Sequence, residues 1–290
     1  MADNLTKYGP LVVGIDPHLD DVPHILRKTN DWIGTYSDFL LDTVIGHTGF
    51  IKVQLAYFEA EGLAGLNALA RTIRTARENG IGVIIDGKRG DIGTTCAAYA
   101  RAYLKHGADF EGDCLTVNPL LGGESLMPFV EAVNRYGKGL FVLCRTSNPG
   151  ADTLQTKQLQ GEPVYLHLAR LIGDLTAHTA QFTMAQGKIS PIGAVIGATA
   201  DPKQMRQVRD CLPTSPLLTP GVGAQGGQLD ALRALTNPGV ALVPLSRGLT
   251  KTDDLRIENQ AYQTLIRTRI THYRDQLRTK LQTTATTIVA

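Results

Sequence analysis

Short runs rich in Val, Ile and Leu recur along the chain, at Leu11–Asp16, Phe50–Gln54, Gly82–Lys88, Cys114–Asn118, Gly139–Ser147, Ile192–Thr199, Leu217–Gly221 and Ala241–Arg247. Consecutive apolar positions over strand length are expected of strands buried on both faces of a parallel sheet. The intervening segments predict helices over Ile33–Ile45, Ala56–Asn79, Thr95–His106, Glu124–Tyr136, Glu162–Gln186, Pro202–Cys211, Gln228–Leu235 and Thr252–Gln282. Asn79-Gly80 and Tyr136-Gly137 supply helix stops. Eight strand-then-helix units in strict alternation predict an α/β chain folded as a closed (β/α)₈ TIM barrel, not an open doubly wound sheet. No GxGxxG follows the first strand, which weakens a dinucleotide-binding alternative.

Three features depart from a minimal barrel. Pro244 falls inside the eighth run and predicts a bulge or a shifted strand end, because proline removes a ladder N–H. The stretch 148–191 is longer than one crossover needs, and its polar, turn-rich start predicts a mobile loop before the helix. The Thr-rich tail Thr279–Thr287 predicts a fraying end. The 290 residues are thus expected to form one enlarged barrel domain with an extended segment after strand 5 and a C-terminal helix and tail.

Composition narrows the partners. With 43% hydrophobic and 19% charged residues the chain has ordinary globular usage. The net charge is only +2, and no basic block is present to neutralise a run of phosphates, which argues against nucleic acid and anionic membranes as partners. Cys96, Cys114, Cys144 and Cys211 show no CxxC pair and read as small buried apolar residues. The N-terminus lacks a charged segment followed by an apolar one, and no run reaches 18 apolar residues, so a cytoplasmic setting is expected.

Catalytic groups of such barrels sit at the C-terminal strand ends. Here those ends carry Asp16, Lys52, Asp86-Gly-Lys88 with Asp91 beyond, Asn118, Arg145-Thr-Ser147 and Arg247. Period-two geometry places Asp86 and Lys88 on one side of their strand end. An ammonium held between carboxylates is a competent proton donor to a carbanion; the bland alternative is a surface salt-bridge network, which Lys52 and Asp16 on the preceding strand ends make less attractive. The second cluster is Thr219-Pro-Gly-Val-Gly-Ala-Gln225-Gly226-Gly, followed by a helix and then Ser246-Arg247-Gly248. Glycines admit an oxyanion to backbone N–H groups, and the loops after strands 7 and 8 commonly hold phosphate in these barrels. A flexible connector with a surface arginine is the bland alternative.

Weaker signals read structurally. The seven histidines show no metal-binding spacing, so no metal site is expected. Ser147 lacks a GxSxG elbow and suits a substrate hydrogen bond better than a nucleophile. Trp32, Tyr57 and Phe58 read as packing residues.

Asp86-Gly-Lys88-Arg-Gly-Asp91-Ile92-Gly-Thr-Thr95 resembles the DxKxxDIxxT signature of the orotidine 5′-monophosphate decarboxylase family. Lys52 resembles its strand-2 lysine, Ser147-Asn-Pro-Gly its strand-5 serine motif, Pro220-Gly-Val-Gly-Ala-Gln225-Gly-Gly its phosphate loop and Arg247 its phosphate arginine, in the family's order. The resemblance implies metal- and cofactor-free loss of CO₂ from orotidine 5′-monophosphate to give UMP. It implies an alternating array of Lys52, Asp86, Lys88 and Asp91, with Lys88 protonating C6. It also implies a homodimer in which Asp91, Ile92 and Thr95 cross into the partner's site. Asp16 and Lys52 would bind ribose hydroxyls, Ser147 and Gln225 would bridge base and phosphate, and Gln225, Gly226 and Arg247 would hold the phosphate.

Arg89-Gly90 and Gly93 replace more apolar or proline residues of compact members, and the segment after strand 5 is extended, both resembling the longer bacterial branch. The roles of Arg145 and Asn118 stay open. Two other functions compete: a Mg²⁺-dependent sugar-phosphate decarboxylase or aldolase of the same barrel superfamily, and a non-catalytic sensor of a phosphorylated ligand.

Overall fold

The computed structural model describes residues 2–184, 187–223, 226–227, 229–236 and 239–281. Eight parallel strands, β1 (Leu11–Ile15), β2 (Phe50–Gln54), β3 (Gly82–Arg89), β4 (Cys114–Val117), β5 (Gly139–Arg145), β6 (Ile192–Ile196), β7 (Leu217–Leu218) and β8 (Ala241–Leu245), close into a barrel in which each pairs with its chain neighbours and β8 pairs with β1. The helices are α1 (Ala2–Tyr8), α2 (Trp32–Val44), α3 (Leu55–Ala60), α4 (Gly62–Glu78), α5 (Gly93–Leu104), α6 (Gly123–Tyr136), α7 (Val164–Thr176), α8 (Pro202–Cys211), the short α9 (Arg247–Thr250) and α10 (Asn259–Leu281). The expected (β/α)₈ alternation is present, with one exception: a 3₁₀ turn, Leu229–Leu235, stands between β7 and β8 where a helix from Gln228 was expected. Gln228 itself lies outside the described residues.

Two apolar layers hold the barrel. Outward strand residues such as Val13, Ile51, Ile85 and Leu115 pack against the helices, while Val12, Phe50, Ile84, Cys114, Phe141, Val195, Leu218 and Leu242 fill the barrel. Side chains alternate along a strand, so the inward phase continues two residues later to Lys52, Asp86, Thr116 and Pro244, and four residues after Val12 and Leu242 to Asp16 and Ser246. The same phase that fills the barrel with carbon therefore ends in a polar layer at the C-terminal strand ends.

Several expectations need correction. The predicted Ala56–Asn79 helix is two helices, broken at Glu61 because Gly62 takes φ +59°, outside the helical region. The predicted Glu162–Gln186 helix stops at Thr176, and Phe182–Met184 pairs antiparallel with Gly187–Ile189; Gln186 lies outside the described residues. After Ser147, where a mobile loop was expected, the chain forms a 3₁₀ turn, Pro149–Thr153, and a small Gln158–Leu159/Glu162–Pro163 hairpin. Residues 252–258 precede the last helix instead of opening it, and α10 takes in residues 279–281 of the expected tail; the rest of that tail is not described.

At Pro244 no bulge is found: β8 runs in register with β1, Val12 opposite Pro244, and ends at Leu245, two residues before the expected end. Val243 donates its N–H to Pro10 on the β1 side. The alternate position, Pro244, therefore faces β7, which has ended at Leu218, and the missing N–H costs no strand bond.

Of the four cysteines, Cys96, Cys114 and Cys144 are buried and Cys211 is half-buried; no disulfide joins them, and burial pushes the Cys114 thiol up to about 12. Phe58 is core, whereas Tyr57 is only half-buried and meets the His18 ring edge-on at 6.1 Å. Trp32 packs against the core and donates its ring N–H to Glu61 at 3.2 Å. No described helix is long and apolar enough to cross a membrane.

Candidate active site

A cavity of about 480 Å³ opens at the C-terminal strand ends. One part of its wall is an ion-paired chain. Lys52 Nζ lies 3.4 Å from Asp16 Oδ1 and 2.9 Å from Asp86 Oδ2, and Lys88 Nζ lies 2.6 Å from Asp86 Oδ1. Lys52 and Asp86 are 5% and 7% exposed, whereas the Lys88 side chain is 45% exposed and reaches into the cavity mouth. Burial disfavours the Lys52 ammonium, but the carboxylates of Asp16 and Asp86 outweigh it and raise its pKa. Burial likewise disfavours the Asp86 carboxylate, yet Lys52 and Lys88 outweigh it and hold Asp86 well below the usual carboxylate range.

Three partners of this chain were not legible in the sequence. Thr116 donates its hydroxyl to Asp86 Oδ1 at 2.9 Å, Gln54 donates to Asp86 Oδ2 at 3.4 Å, and Ser246 donates to Asp16 Oδ2 at 2.6 Å. A threonine within a strand signals only β-structure. Ser246 sits beside Gly14, where a Cβ would lie 1.9 Å from the serine oxygen, so β1 and β8 approach this closely only because residue 14 has no side chain.

Ser147 and Arg247 line the same cavity, with Gly221 and Gly248. The Arg247 side chain is exposed and has no ion pair among the described residues, and the Arg247 and Gly248 amides have no protein acceptor among them. Gly226 is described but lies off the cavity; the amides of Gly223, Gly226 and Gly227 are donated within the glycine loop, to Gly227, Gly223 and Gly221. Gln225 lies outside the described residues.

Asp91, Ile92 and Thr95 do not reach this chain's own cavity. Asp91 Oδ1 accepts the Ile92 amide at 2.7 Å, and Ile92 is 62% exposed. Within one chain the array therefore runs Asp16, Lys52, Asp86, Lys88, without Asp91. Arg145 is committed to protein partners, donating to Asp152 after β5 at 2.6 Å, to Gln204 on α8 at 3.1 Å and to the Thr146 carbonyl at 2.9 Å. Asn118 accepts the Leu120 amide at 3.0 Å and stays outside the cavity. Arg89, between the two key carboxylates in sequence, turns outward to Glu59 and donates to the Tyr103 hydroxyl at 3.1 Å. No cluster of three potential metal-ligating acids, histidines or cysteines occurs among the described residues.

Buried charges converging on a cavity at this end of the strands define a barrel of the catalytic kind. Its family is set by sequence: the model of the Orotidine 5′-phosphate decarboxylase / HUMPS family matches residues 10–262, and the chain belongs to that family. It is 42% identical over 250 residues to the orotidine 5′-phosphate decarboxylase of Rhodopirellula baltica, covering 81% of each chain. Against the Clostridium perfringens enzyme of the same name it is 32% identical over 284 residues, covering 96% of each. A crystal structure from Streptomyces avermitilis, provisionally given that name, superposes with a TM-score of 0.80 at 31% identity, over 97% of this chain and 94% of its own.

Proposed function

We propose that this chain is a carboxy-lyase that converts orotidine 5′-monophosphate to UMP and CO₂ in pyrimidine nucleotide synthesis, without metal or organic cofactor, as one barrel domain paired into a cytoplasmic homodimer. Family membership and the names of the curated relatives support the reaction. The observation that carries it furthest is the single cavity bearing both the Lys52–Asp86–Lys88 chain and the uncommitted Arg247.

The roles follow from charge. Breaking the C6–carboxylate bond leaves its electron pair on C6 as a vinyl carbanion that the ring delocalises poorly. Lys88 gains interaction as negative charge moves from carboxylate to carbon, which is differential stabilisation of the transition state, and then transfers its proton to C6. Asp86, kept ionised by Lys52 and Lys88, faces the departing carboxylate. At ~4 Å and an effective dielectric of ~20, two such charges repel by about 4 kcal/mol, and full relief supplies about three decades of rate. Closure of the site by phosphate-derived binding energy supplies much of the remainder.

Asp16 and Lys52 hold the ribose hydroxyls. Ser147 and Gln225 bridge base and phosphate, and Gln225 and Arg247 hold the phosphate, joined by Gly226 once its amide leaves the Gly223 carbonyl. Asp91, Ile92 and Thr95 complete the partner's site, in keeping with their position away from their own cavity. The test is ultraviolet-monitored decarboxylation of orotidine 5′-monophosphate in EDTA. Full turnover is expected; activity only on a keto-sugar phosphate with added Mg²⁺ would replace this function with the aldolase-type alternative, and phosphate-ligand binding without turnover would leave a sensor.

A further inference from the structure

Lys88 is one of only two non-glycine residues among those described with positive φ, at +46°. Such a backbone is unfavourable for a residue with a Cβ and persists only where its surroundings impose it. The β3–β4 ladder shows what imposes it. Ile85 pairs with Leu115 and Arg89 with Val117, so three β3 residues, Asp86, Gly87 and Lys88, lie opposite the single β4 residue Thr116. The strand bulges around that one threonine, and bulges of this kind re-aim side chains.

Thr116 is 1% exposed, and its hydroxyl engages both ends of the bulge. It donates to Asp86 Oδ1 at 2.9 Å and accepts the Lys88 backbone N–H at 2.9 Å. One hydroxyl can do both, having one proton and two lone pairs. Asp86 Oδ1 is also the oxygen 2.6 Å from Lys88 Nζ, so the threonine closes a ring through the backbone and side chains of the two residues.

We infer that Thr116 is a positioning residue for the decarboxylation: its hydroxyl locks the Asp86–Gly87–Lys88 bulge and thereby fixes where the Lys88 ammonium stands. This rests on the proposed function, because it assumes that Lys88 is the proton donor. Valine keeps the shape of threonine and lacks the hydroxyl, whereas serine keeps the hydroxyl and lacks the methyl.

The experiment measures kcat and KM for orotidine 5′-monophosphate, UMP affinity and the unfolding midpoint for the unmodified chain, Thr116→Val and Thr116→Ser. A proton donor displaced by about 1 Å costs about 10²-fold. Thr116→Val is therefore expected to lose about 10- to 100-fold in kcat, with KM and UMP affinity unchanged because the ribose and phosphate contacts are intact. Thr116→Ser should restore most of the loss. If Thr116→Val does not fold, Thr116→Ala removes the same hydroxyl and carries the test. A hydroxyl-free variant with wild-type kcat would overturn the inference, as would Thr116→Ser no better than Thr116→Val, or a loss confined to KM. An unmodified chain inactive on this substrate would overturn the proposed function itself, and with it the assumption made here.

Discussion

At the N-terminal end of the barrel Glu111, 3% exposed, receives Arg77 at 2.6 Å and Lys138 at 2.8 Å on one oxygen and the Gly107 amide at 2.8 Å on the other, with His106 Nδ1 at 3.0 Å. At the C-terminal end Asp86, similarly buried, is held by Lys52, Lys88, Thr116 and Gln54. Both carboxylates are saturated with donors; the difference lies in the donors. Lys138 is itself buried and also lies 3.6 Å from Asp113, whereas the Lys88 side chain is 45% exposed, on a left-handed backbone, facing a cavity. Exposure alone does not separate the two clusters, since Arg77 and His106 at Glu111 are exposed as well; what sets Lys88 apart is that its open side lies in the cavity it shares with Arg247.

Substitutions at the two ends of the barrel should separate these roles. Asp91→Ala and Lys88→Ala should each lose at least about 10³-fold in turnover, the scale of losing a charged group that acts only in the transition state. Mixed under conditions of subunit exchange, they should recover about a quarter of the native sites, because half of randomly paired dimers carry one intact site. No recovery despite demonstrated exchange would remove Asp91 from a shared site. Next, Arg247→Ala should reduce kcat/KM by about 10- to 100-fold, the value of a charge-assisted bond to phosphate. Phosphate-free orotidine should be indifferent to that change, and equal losses on both substrates would contradict a phosphate contact.

Glu111→Gln belongs to the other end and should affect stability alone. Burial pushes this carboxyl up, but Lys138, the Gly107 amide and His106 outweigh it and hold its pKa down at about 2. A carboxyl depressed on folding stabilises above its unfolded pKa and loses that contribution as pH falls towards the folded one. The native chain should therefore lose about 3 kcal/mol between roughly pH 5 and pH 2 from this group. Urea unfolding of Glu111→Gln should show that loss already at neutral pH, with kcat unchanged; a stability equal to the native chain's would refute it. Smallest is Gly14→Ala, whose Cβ would meet Ser246 Oγ at 1.9 Å. Overpacking of about 1–3 kcal/mol is expected, with a rise in KM as Ser246 leaves Asp16; an unchanged KM would show that the Ser246–Asp16 bond is idle.

Most of the site was legible because strand periodicity and strand-end chemistry coincide. Asp16 ends the first apolar run, Lys52 interrupts the second, Asp86 and Lys88 close the third, and each lines the cavity. What escaped depends on neighbours distant in sequence. Thr116 matters because three β3 residues bulge around it, and Ser246 matters because Gly14, 232 positions earlier, leaves room for it. Helix limits failed for a related reason: the stretch after Thr176 lacks a glycine stop before Gly187, and pairing with Gly187–Ile189, not local propensity, makes Phe182–Met184 a strand.

Whether the open-sided ammonium of Lys88 performs the chemistry is decided by Lys88→Ala measured for turnover, UMP binding and unfolding midpoint in one preparation. Turnover should fall by at least about 10³-fold, with UMP binding and the midpoint near native. Near-native turnover, or a collapse of stability like that expected of Glu111→Gln, would contradict that role.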